Sequence, residues 1–177
     1  MTKRRGGGDL EVAIPLDWPV PWDIGAPVPH VVASRRATFL IYLVNTARFS
    51  SAGYDHSELR VIDPASDDVQ RLALVTFADC NALRFGRPNE EPISVHPLYG
   101  HGLEAFRAHS VENSRWLAAC QSIDSFRADD DPARWDNHRH DLLTFHDELF
   151  ECLATGFAIE VYDASFGDVL QMAQNRL

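Results

Sequence analysis

The hydrophobic pattern of the chain consists mostly of short apolar runs separated by turn residues. Residues 37–46 (ATFLIYLVNT) are apolar on both faces, which predicts a central β-strand. Residues 69–77 (VQRLALVTF) predict a second strand, and residues 58–62 predict a shorter one. Residues 81–101 are interrupted by glycine and proline, so we expect mostly loop in that region.

The last third of the chain has the clearest alternation. Residues 140–145 and 150–154 predict two strands that form a hairpin, with its turn at the polar residues between them. Residues 157–162 (FAIEVY) predict a third strand, and residues 166–177 a short closing helix. The residues of the third strand that we expect to point inward are Phe157, Ile159 and Val161.

A single amphipathic helix is predicted in the middle of the chain. Ser114 suits a helix N-cap, and the residues after it repeat at helical spacing, which predicts a helix over about 115–126. The residues on its apolar stripe are Trp116, Cys120, Ile123 and Phe126. Residues 103–111 are ambiguous, since their composition favours helix while their alternation also suits a strand.

Strands that follow one another at short intervals leave too few residues for crossover helices, so they pair antiparallel. The predicted fold class is therefore α+β: a mainly antiparallel sheet, as a roll or partly closed barrel, with the central helix and the short C-terminal helix. We expect a flexible tail at 1–13 and one domain at 14–177. Within that domain, residues 14–35 form an extended arm, rich in proline, whose Trp18 and Trp22 pack onto the sheet.

Composition narrows the classes of partner. The 177 residues include 16 Lys+Arg and 26 Asp+Glu, a net charge of −10 that repels phosphate backbones and argues against nucleic acid. The longest apolar run, at 37–44, is far shorter than the ~20 residues of a membrane-spanning helix. Three cysteines without a CxxC spacing are expected to be reduced thiols of the core, which suits a reducing compartment. We therefore expect a cytoplasmic protein.

Histidine is the one enriched reactive residue type, with eight in the chain. The predicted hairpin turn places His146 beside Asp147, close to Glu151. A carboxylate next to an imidazole holds its tautomer and raises its basicity, so these three residues are the predicted catalytic group, with His146 as general base. A polar turn without any catalytic role explains the same residues.

Two further segments carry candidate binding residues. The glycine-containing loop at 96–102 holds His96, Tyr99 and His101, which we expect to contact a substrate. In the arm, Trp22 is a candidate wall of the same ligand pocket. Ser114 does not lie in a G-x-S-x-G segment, so the sequence does not predict a hydrolase nucleophile elbow.

The spacing of His138 and His140 allows a metal site, since alternate residues of a strand point to the same face. No third ligand is fixed by the sequence, and the preferred interpretation is that both histidines are exposed to solvent where a strand begins. No metal or other cofactor is therefore predicted, and a His-ligated metal protein is kept as an alternative.

Four phrases together resemble a set of uncharacterised bacterial proteins of similar length: residues 22–27 (WDIGAP), 96–100 (HPLYG), 112–116 (ENSRW) and 145–151 (FHDELFE). The resemblance covers most of the chain from about residue 17 and implies no activity. The Ser-x-Trp and Phe-His-Asp segments are also similar to small immunity-like accessory domains of bacteria.

The leading hypothesis is an accessory protein that binds or acts on a small molecule in a pocket between the sheet, the arm and the 96–102 loop. The competing hypothesis is a protein-binding module, of the immunity type or a partner subunit, whose acidic face suits a basic protein partner. A concave site lined by histidines and an aromatic ring would favour the first hypothesis.

Overall fold

The structure, a computed structural model, describes residues 10–45, 63–87, 91–126 and 132–177. Within these ranges the chain forms nine strands and two α-helices. In chain order they are β1 (Val12–Pro15), β2 (His30–Ala33), β3 (Thr38–Leu43), β4 (Gln70–Ala78), β5 (Ala82–Gly86), β6 (Ala108–Glu112), α1 (Arg115–Asp124), β7 (Arg139–Thr144), β8 (Leu149–Ala154), β9 (Gly156–Ala164) and α2 (Phe166–Asn175). Short 3-10 helices lie at Glu91–Val95 and Pro132–Trp135.

The strands form two antiparallel sheets. The five-stranded sheet has the order β1-β6-β7-β8-β5, and the four-stranded sheet has the order β2-β3-β4-β9. Some strands pair with the next strand in the chain, as β3 does with β4 and β7 with β8. Others pair over long distances in sequence, since β4 pairs along nine residues with β9 and β5 pairs with β8. The ladders thus confirm an α+β fold built on antiparallel sheet.

The core lies between the two sheets. From the four-stranded sheet, Leu40 and Phe77 belong to this cluster, and from the five-stranded sheet so do Leu143 and Phe150. The rings of Phe77 and Phe150 are stacked across the interface with their centroids 5.0 Å apart. Alternate residues of β3, β4, β7 and β8 therefore supply the apolar face that each sheet buries.

The residues of the predicted arm are part of this core. Trp18 and Trp22 are 9% and 4% exposed. The indole Nε1 of Trp18 donates a hydrogen bond to the Tyr42 hydroxyl at 2.8 Å, and that hydroxyl donates to the carbonyl of Val20 at 2.6 Å. This chain of bonds fixes the arm across β3, because a buried indole and a buried phenol both need partners.

Each sheet also has an outer face. On the four-stranded sheet, α2 covers a second cluster with its buried residues Phe166, Val169 and Ala173. On the five-stranded sheet, a third cluster includes Leu98, Leu142 and Leu149. The remainder of that outer face, beside α1, carries the polar groups described below.

Several sequence predictions need correction. Residues 82–86, expected to be loop, form the edge strand β5, and the ambiguous 103–111 segment contributes the strand β6. Val12 and Ala13, assigned to the tail, form the start of β1, and Val161 is 39% exposed although it was expected inward. Predictions for the tail at 1–9 and the strand at 58–62 fall outside the described residues.

Two finer features of the predicted fold are not confirmed. The ladders fall into two separate sheets, so neither a roll nor a partly closed barrel is established. The central helix α1 is present and begins after Ser114 as predicted, but none of its residues is buried. Ile123 and Phe126, expected on an apolar stripe toward the sheet, are 69% and 88% exposed.

Candidate functional site

Three adjacent strands of the five-stranded sheet place charged side chains on its outer face. In the ladders, Arg84 lies directly opposite Glu151, while His140 lies opposite Leu153. Because residues two apart on a strand share a face, His140 and Glu151 are diagonal neighbours on the same side of the sheet. The β7–β8 hairpin thus brings together an imidazole and a carboxylate.

A continuous hydrogen-bond relay joins α1 to this pair. The Ser114 hydroxyl lies 2.9 Å from Nδ1 of His140, and Nε2 of His140 lies 2.9 Å from Oε2 of Glu151. All three residues are buried, with exposed fractions of 7%, 3% and 9%. A serine, a histidine and a carboxylate in this order form the constellation that activates a hydroxyl for nucleophilic attack.

The protonation of the relay follows from the state of Glu151. Burial acts to raise the pKa of Glu151, but the hydrogen bond from His140 and the neighbouring Arg84 outweigh it, so this pKa lies below its ordinary value. Glu151 is therefore an ionised acceptor at neutral pH, and Nε2 of His140 carries the hydrogen between them. In a neutral imidazole, Nδ1 is then the free base that accepts the Ser114 hydroxyl proton.

Ser114 has this position because it is the N-cap of α1. Its Oγ accepts a hydrogen bond from the backbone N–H of Leu117 at 3.1 Å, as N-cap side chains do. Asn113, before the cap, has a φ of 54° and donates from its side chain to the carbonyl of Leu10 at 3.1 Å. Glu11 accepts from the backbone N–H of Arg115 at 2.8 Å. The chain entering β1 thus holds the first turn of α1 above the sheet.

Trp116 forms an aromatic wall beside the relay. Its ring system and the His140 imidazole form a T-shaped pair, with centroids 5.1 Å apart and an interplanar angle of 82°. The guanidinium of Arg84 lies 4.0 Å above the Trp116 ring and 3.9 Å from Oε1 of Glu151. The cation therefore contacts both the aromatic wall and the carboxylate end of the relay.

His96 adds a second imidazole. Its Nδ1 accepts a hydrogen bond from the backbone N–H of Leu98 at 3.2 Å. Burial is the main cause that lowers the pKa of His96 below its ordinary value, against the attraction of Glu151. His96 is therefore neutral at pH 7 with its hydrogen on Nε2, a nitrogen that has no hydrogen-bond acceptor within the part of the chain that is described.

Most of these groups line one concave cleft of about 410 Å³, and the buried Ser114 lies beside it, in contact with the lining residue His140. Its wall and floor are formed by Glu11, Arg84, His96, Pro97, Leu98, Arg115, Trp116, Ala119, His140 and Glu151. The volume is that of a site for a small molecule, and the residues that line it include two glutamates and two arginines.

The structure separates the residues that the sequence proposed as one catalytic group. Glu151 lies in the cleft and binds His140. His146 and Asp147 lie in the β7–β8 turn, 3.1 Å apart, with side chains 39% and 68% exposed, and the His146 ring packs 6.1 Å from that of Phe106. The hairpin itself is confirmed by the ladder between β7 and β8.

The proposed binding residues are also divided. His96 lines the cleft, whereas Tyr99 is 54% exposed and His101 contributes backbone hydrogen bonds to Leu98 and Ala13. Trp22 lies in the core and lines a second cleft, of about 430 Å³, with Trp18, Phe106 and Arg107. The single predicted pocket between arm, loop and sheet thus corresponds to two clefts.

The expectation of solvent-exposed histidines at the start of β7 is wrong. His138 is 9% exposed, and its Nε2 lies 2.8 Å from Nδ2 of Asn81 and 2.9 Å from the Asp79 carbonyl. His140 binds Ser114 and Glu151 instead. Among the residues described, no group of three or more His, Cys, Asp or Glu side chains is placed to hold a metal ion.

Sequence analysis did not assign Arg84, Ser114, Trp116 or His140 to the catalytic or binding group. It considered His140 only as a metal ligand and Ser114 only as a helix cap outside a hydrolase motif. A usable signal was the segment RHDLLT, where charged residues interrupt a strand otherwise apolar enough to be central. Buried polar groups of that kind require specific partners. The identity of the partners depends on the register of β7 with β8 and on the placement of α1, neither of which the local sequence determines.

Comparisons with known proteins do not assign a function to the site. No protein-family model, no curated protein and no solved structure matches the chain. No helix within the described ranges is long and apolar enough to cross a membrane.

Proposed function

We propose that the protein is an enzyme that transfers or hydrolyses an acyl group of a small molecule bound in the cleft beside α1. Ser114 is the proposed nucleophile, His140 the general base and Glu151 the residue that orients the base. The single observation that supports this proposal best is the unbroken relay from the Ser114 hydroxyl through His140 to an ionised carboxylate, with two distances of 2.9 Å.

In the proposed reaction, the Ser114 Oγ attacks the acyl carbonyl carbon while its proton passes to Nδ1 of His140. Glu151 stabilises the imidazolium that forms, through the hydrogen bond from Nε2. The imidazolium then gives the proton to the leaving group. Water, activated by the same nitrogen, releases the acyl group and restores the serine.

The rest of the cleft supports substrate binding. The Nε2–H of His96, a neutral donor, is suited to the oxygen that becomes negative as the carbonyl is attacked. The guanidinium groups of Arg84 and Arg115 suit a substrate that carries a carboxylate or another anionic group. We expect the substrate to be a small ester or thioester with such a group.

The proposal is tested with activated esters, p-nitrophenyl acetate and p-nitrophenyl succinate, and with a fluorophosphonate probe followed by peptide mass spectrometry. We expect labelling at Ser114, a loss of roughly a thousandfold or more in kcat/KM for Ser114→Ala, and a loss of about a hundredfold or more for His140→Gln. The succinate ester should be the better substrate if the guanidinium groups bind its carboxylate.

Ser165→Ala is the matched control. Ser165 caps α2 as Ser114 caps α1, with its Oγ accepting from the backbone N–H of Asp168 at 3.2 Å, but its side-chain contact is a carboxylate and not a histidine. This variant should lose a similar amount of helix stability and keep full activity. The proposal would be wrong if wild type and Ser114→Ala had equal rates and the fluorophosphonate probe labelled a residue other than Ser114.

The same assay distinguishes this proposal from the sequence-based one, in which His146 in the hairpin turn is the general base. If His146 were the general base, His146→Gln would abolish turnover, whereas the relay proposal expects wild-type rates for that variant. The protein-binding module and the His-ligated metal protein stay predictions. Absence of esterase activity together with a stable complex with a basic protein would favour the former.

A further inference from the structure

The arm and the turn before β6 form the second cleft, of about 430 Å³. It shares no lining residue with the cleft beside α1, so the proposed acyl transfer leaves it without a role. Three aromatic rings and three charged side chains line it: Trp18, Trp22 and Phe106, and Asp17, Glu104 and Arg107. A concave site that combines aromatic surface with a few charged groups is typical of a small-molecule site.

The core holds the two indoles of the second cleft in fixed positions. The Trp18 ring packs against Phe157 with centroids 4.3 Å apart, and the Trp22 ring packs against Phe145 with centroids 4.7 Å apart. The two indoles also form a T-shaped pair, with centroids 6.4 Å apart. These rings therefore provide a rigid aromatic surface that does not have to be ordered when a ligand binds.

The third ring, that of Phe106, belongs to a residue in an uncommon backbone conformation. Its φ is 56°, in the left-handed region that bulky side chains rarely adopt. The buried Thr144 fixes the turn on both sides of it, because its hydroxyl accepts from the backbone N–H of Arg107 at 2.8 Å and donates to the Glu104 carbonyl at 2.9 Å. Strained conformations that the surrounding structure imposes in this way cluster at functional sites.

The charged groups give the second cleft a net negative charge. Arg107 forms an ion pair with Glu104 at 2.7 Å, so these two charges compensate each other. Asp17 forms no ion pair with any of the residues that the structure describes. The net charge of −10 on the whole chain adds to the same field. A carboxylate attracts a cation by its charge, and an aromatic ring attracts one by its quadrupole.

We propose that the second cleft binds a small, free organic cation that carries a quaternary ammonium group, such as choline. Such a group has no N–H, so aromatic rings and a nearby carboxylate recognise it instead of hydrogen-bond acceptors. The three rings and Asp17 supply both kinds of contact. This ligand is separate from the substrate of the proposed acyl transfer, since neither Ser114 nor His140 lines the second cleft.

The experiment measures the binding of two compounds to the full chain by isothermal titration calorimetry. One is choline, and the other is its uncharged analogue, in which a tert-butyl group of nearly the same shape replaces the trimethylammonium group. We expect choline to bind about tenfold more tightly, because only the cation interacts with the ring quadrupoles and with Asp17. Equal affinities, or no binding of choline at millimolar concentrations, would overturn the proposal.

A lipid headgroup carries the same ammonium group, so a second measurement distinguishes the two sources. The protein is sedimented with phosphatidylcholine vesicles, whose headgroups are held in the plane of a bilayer. We expect no cosedimentation, because the indoles of the second cleft are only 9% and 4% exposed and a headgroup fixed in a bilayer does not reach them. Binding to the vesicles without binding of free choline would contradict the proposal of a free ligand.

Two variants test the ring and the charge separately. Phe106→Leu keeps an apolar side chain without the ring, so choline should bind about tenfold more weakly while the uncharged analogue is little affected. Asp17→Asn removes an exposed charge, and we expect about threefold weaker binding of choline. The matched controls are Phe85→Leu and Asp67→Asn, which change exposed residues outside the second cleft and should leave the affinity unchanged.

Binding in the second cleft and esterase activity are measured independently. Ser114→Ala should bind choline as wild type does, so a failure of the proposed acyl transfer leaves this test intact. Circular dichroism verifies that each variant is folded. An unchanged affinity for choline in both Phe106→Leu and Asp17→Asn would show that choline binds elsewhere, which would overturn the proposal.

Discussion

The buried polar residues of the cleft form a set in which each group satisfies the next. Ser114 accepts from the first turn of α1 and can donate to His140, which can donate to Glu151. Such a network fixes rotamers and tautomers at once, because an unpaired member would carry the full cost of desolvation. The same property that positions the relay for chemistry also makes it a determinant of stability.

This dual role predicts a pH-dependent stability. Because the pKa of Glu151 is lower in the folded chain than in the unfolded one, its ionised form stabilises the fold. That contribution is fully present above the unfolded pKa of about 4.3 and is lost as the pH falls through the folded pKa. Glu151→Gln removes the charge while the amide oxygen can still accept from His140. We expect the variant to be less stable by about 1 kcal/mol at pH 7 and the difference to vanish as the pH falls from 7 through the folded pKa.

The measurement is urea denaturation of both proteins across that pH range. Glu112→Gln, a change of an exposed residue on strand β6 of the same sheet, controls for the loss of one negative charge. A difference between wild type and Glu151→Gln that is independent of pH would mean that Glu151 is not stabilised in its ionised form.

At the scale of elements, the cleft depends on how the loop before β6 meets β1. His101 accepts from the backbone N–H of Ala13 at 2.8 Å, and Gly102 follows with a φ of 90°. A Cβ on Gly102 would lie 2.1 Å from the Ala13 carbonyl oxygen, a contact with backbone that no rotamer change can relieve. Glycine is required there for both reasons.

Gly102→Ala should therefore displace β1 from β6 and, with it, the Glu11 contact to the first turn of α1. We expect a loss of about 2 to 4 kcal/mol in the free energy of unfolding. Gly100→Ala is the matched control, since Gly100 also has a positive φ, of 79°, but has open space around its Cβ position. It should cost only about 1 kcal/mol. Equal costs in chemical denaturation would show that the approach of Ala13 is not the cause.

The elements that sequence predicted well are those whose signal is local. The cap at Ser114, the hairpin of β7 and β8 and the presence of the strand β9 each depend on residues close together in sequence, although the inward position expected of Val161 was wrong. The strand β5 was missed because an edge strand is only half-buried, and the glycine and proline that follow Phe85 resemble a loop. The buried face expected of α1 was wrong because spacing indicates a stripe without showing whether a surface lies against it.

At the scale of the whole molecule, the separation into two sheets decides where the cleft lies. Strand patterns predict which residues are buried, but not which strand pairs with which. The pairings of β4 with β9 and of β5 with β8 are long-range contacts that leave no local signature. The same limit applies to the site: Glu151 and His96 were proposed from sequence, while their contact with His140 and Ser114 required the register and the layers.

The two sheets should unfold as one unit, because their inner faces share the core. Phe150 is fully buried and stacks on Phe77 of the other sheet with centroids 5.0 Å apart. Phe150→Ala should lower the free energy of unfolding by about 3 to 5 kcal/mol. Phe85→Ala is the matched control, since Phe85 lies directly opposite Phe150 in the ladder but is 41% exposed at the sheet edge. Its cost should be roughly 1 kcal/mol or less.

Urea denaturation followed by both far-ultraviolet circular dichroism and tryptophan fluorescence distinguishes the possibilities. Trp18 and Trp22 report on the space between the sheets, whereas the circular dichroism reports on all strands. Coincident transitions in wild type, shifted together by Phe150→Ala, are expected for one cooperative unit. Two transitions at different urea concentrations, or an equal loss of unfolding free energy in the two phenylalanine variants, would show that the sheets do not depend on this interface. The cleft on the outer face would then depend on the five-stranded sheet alone.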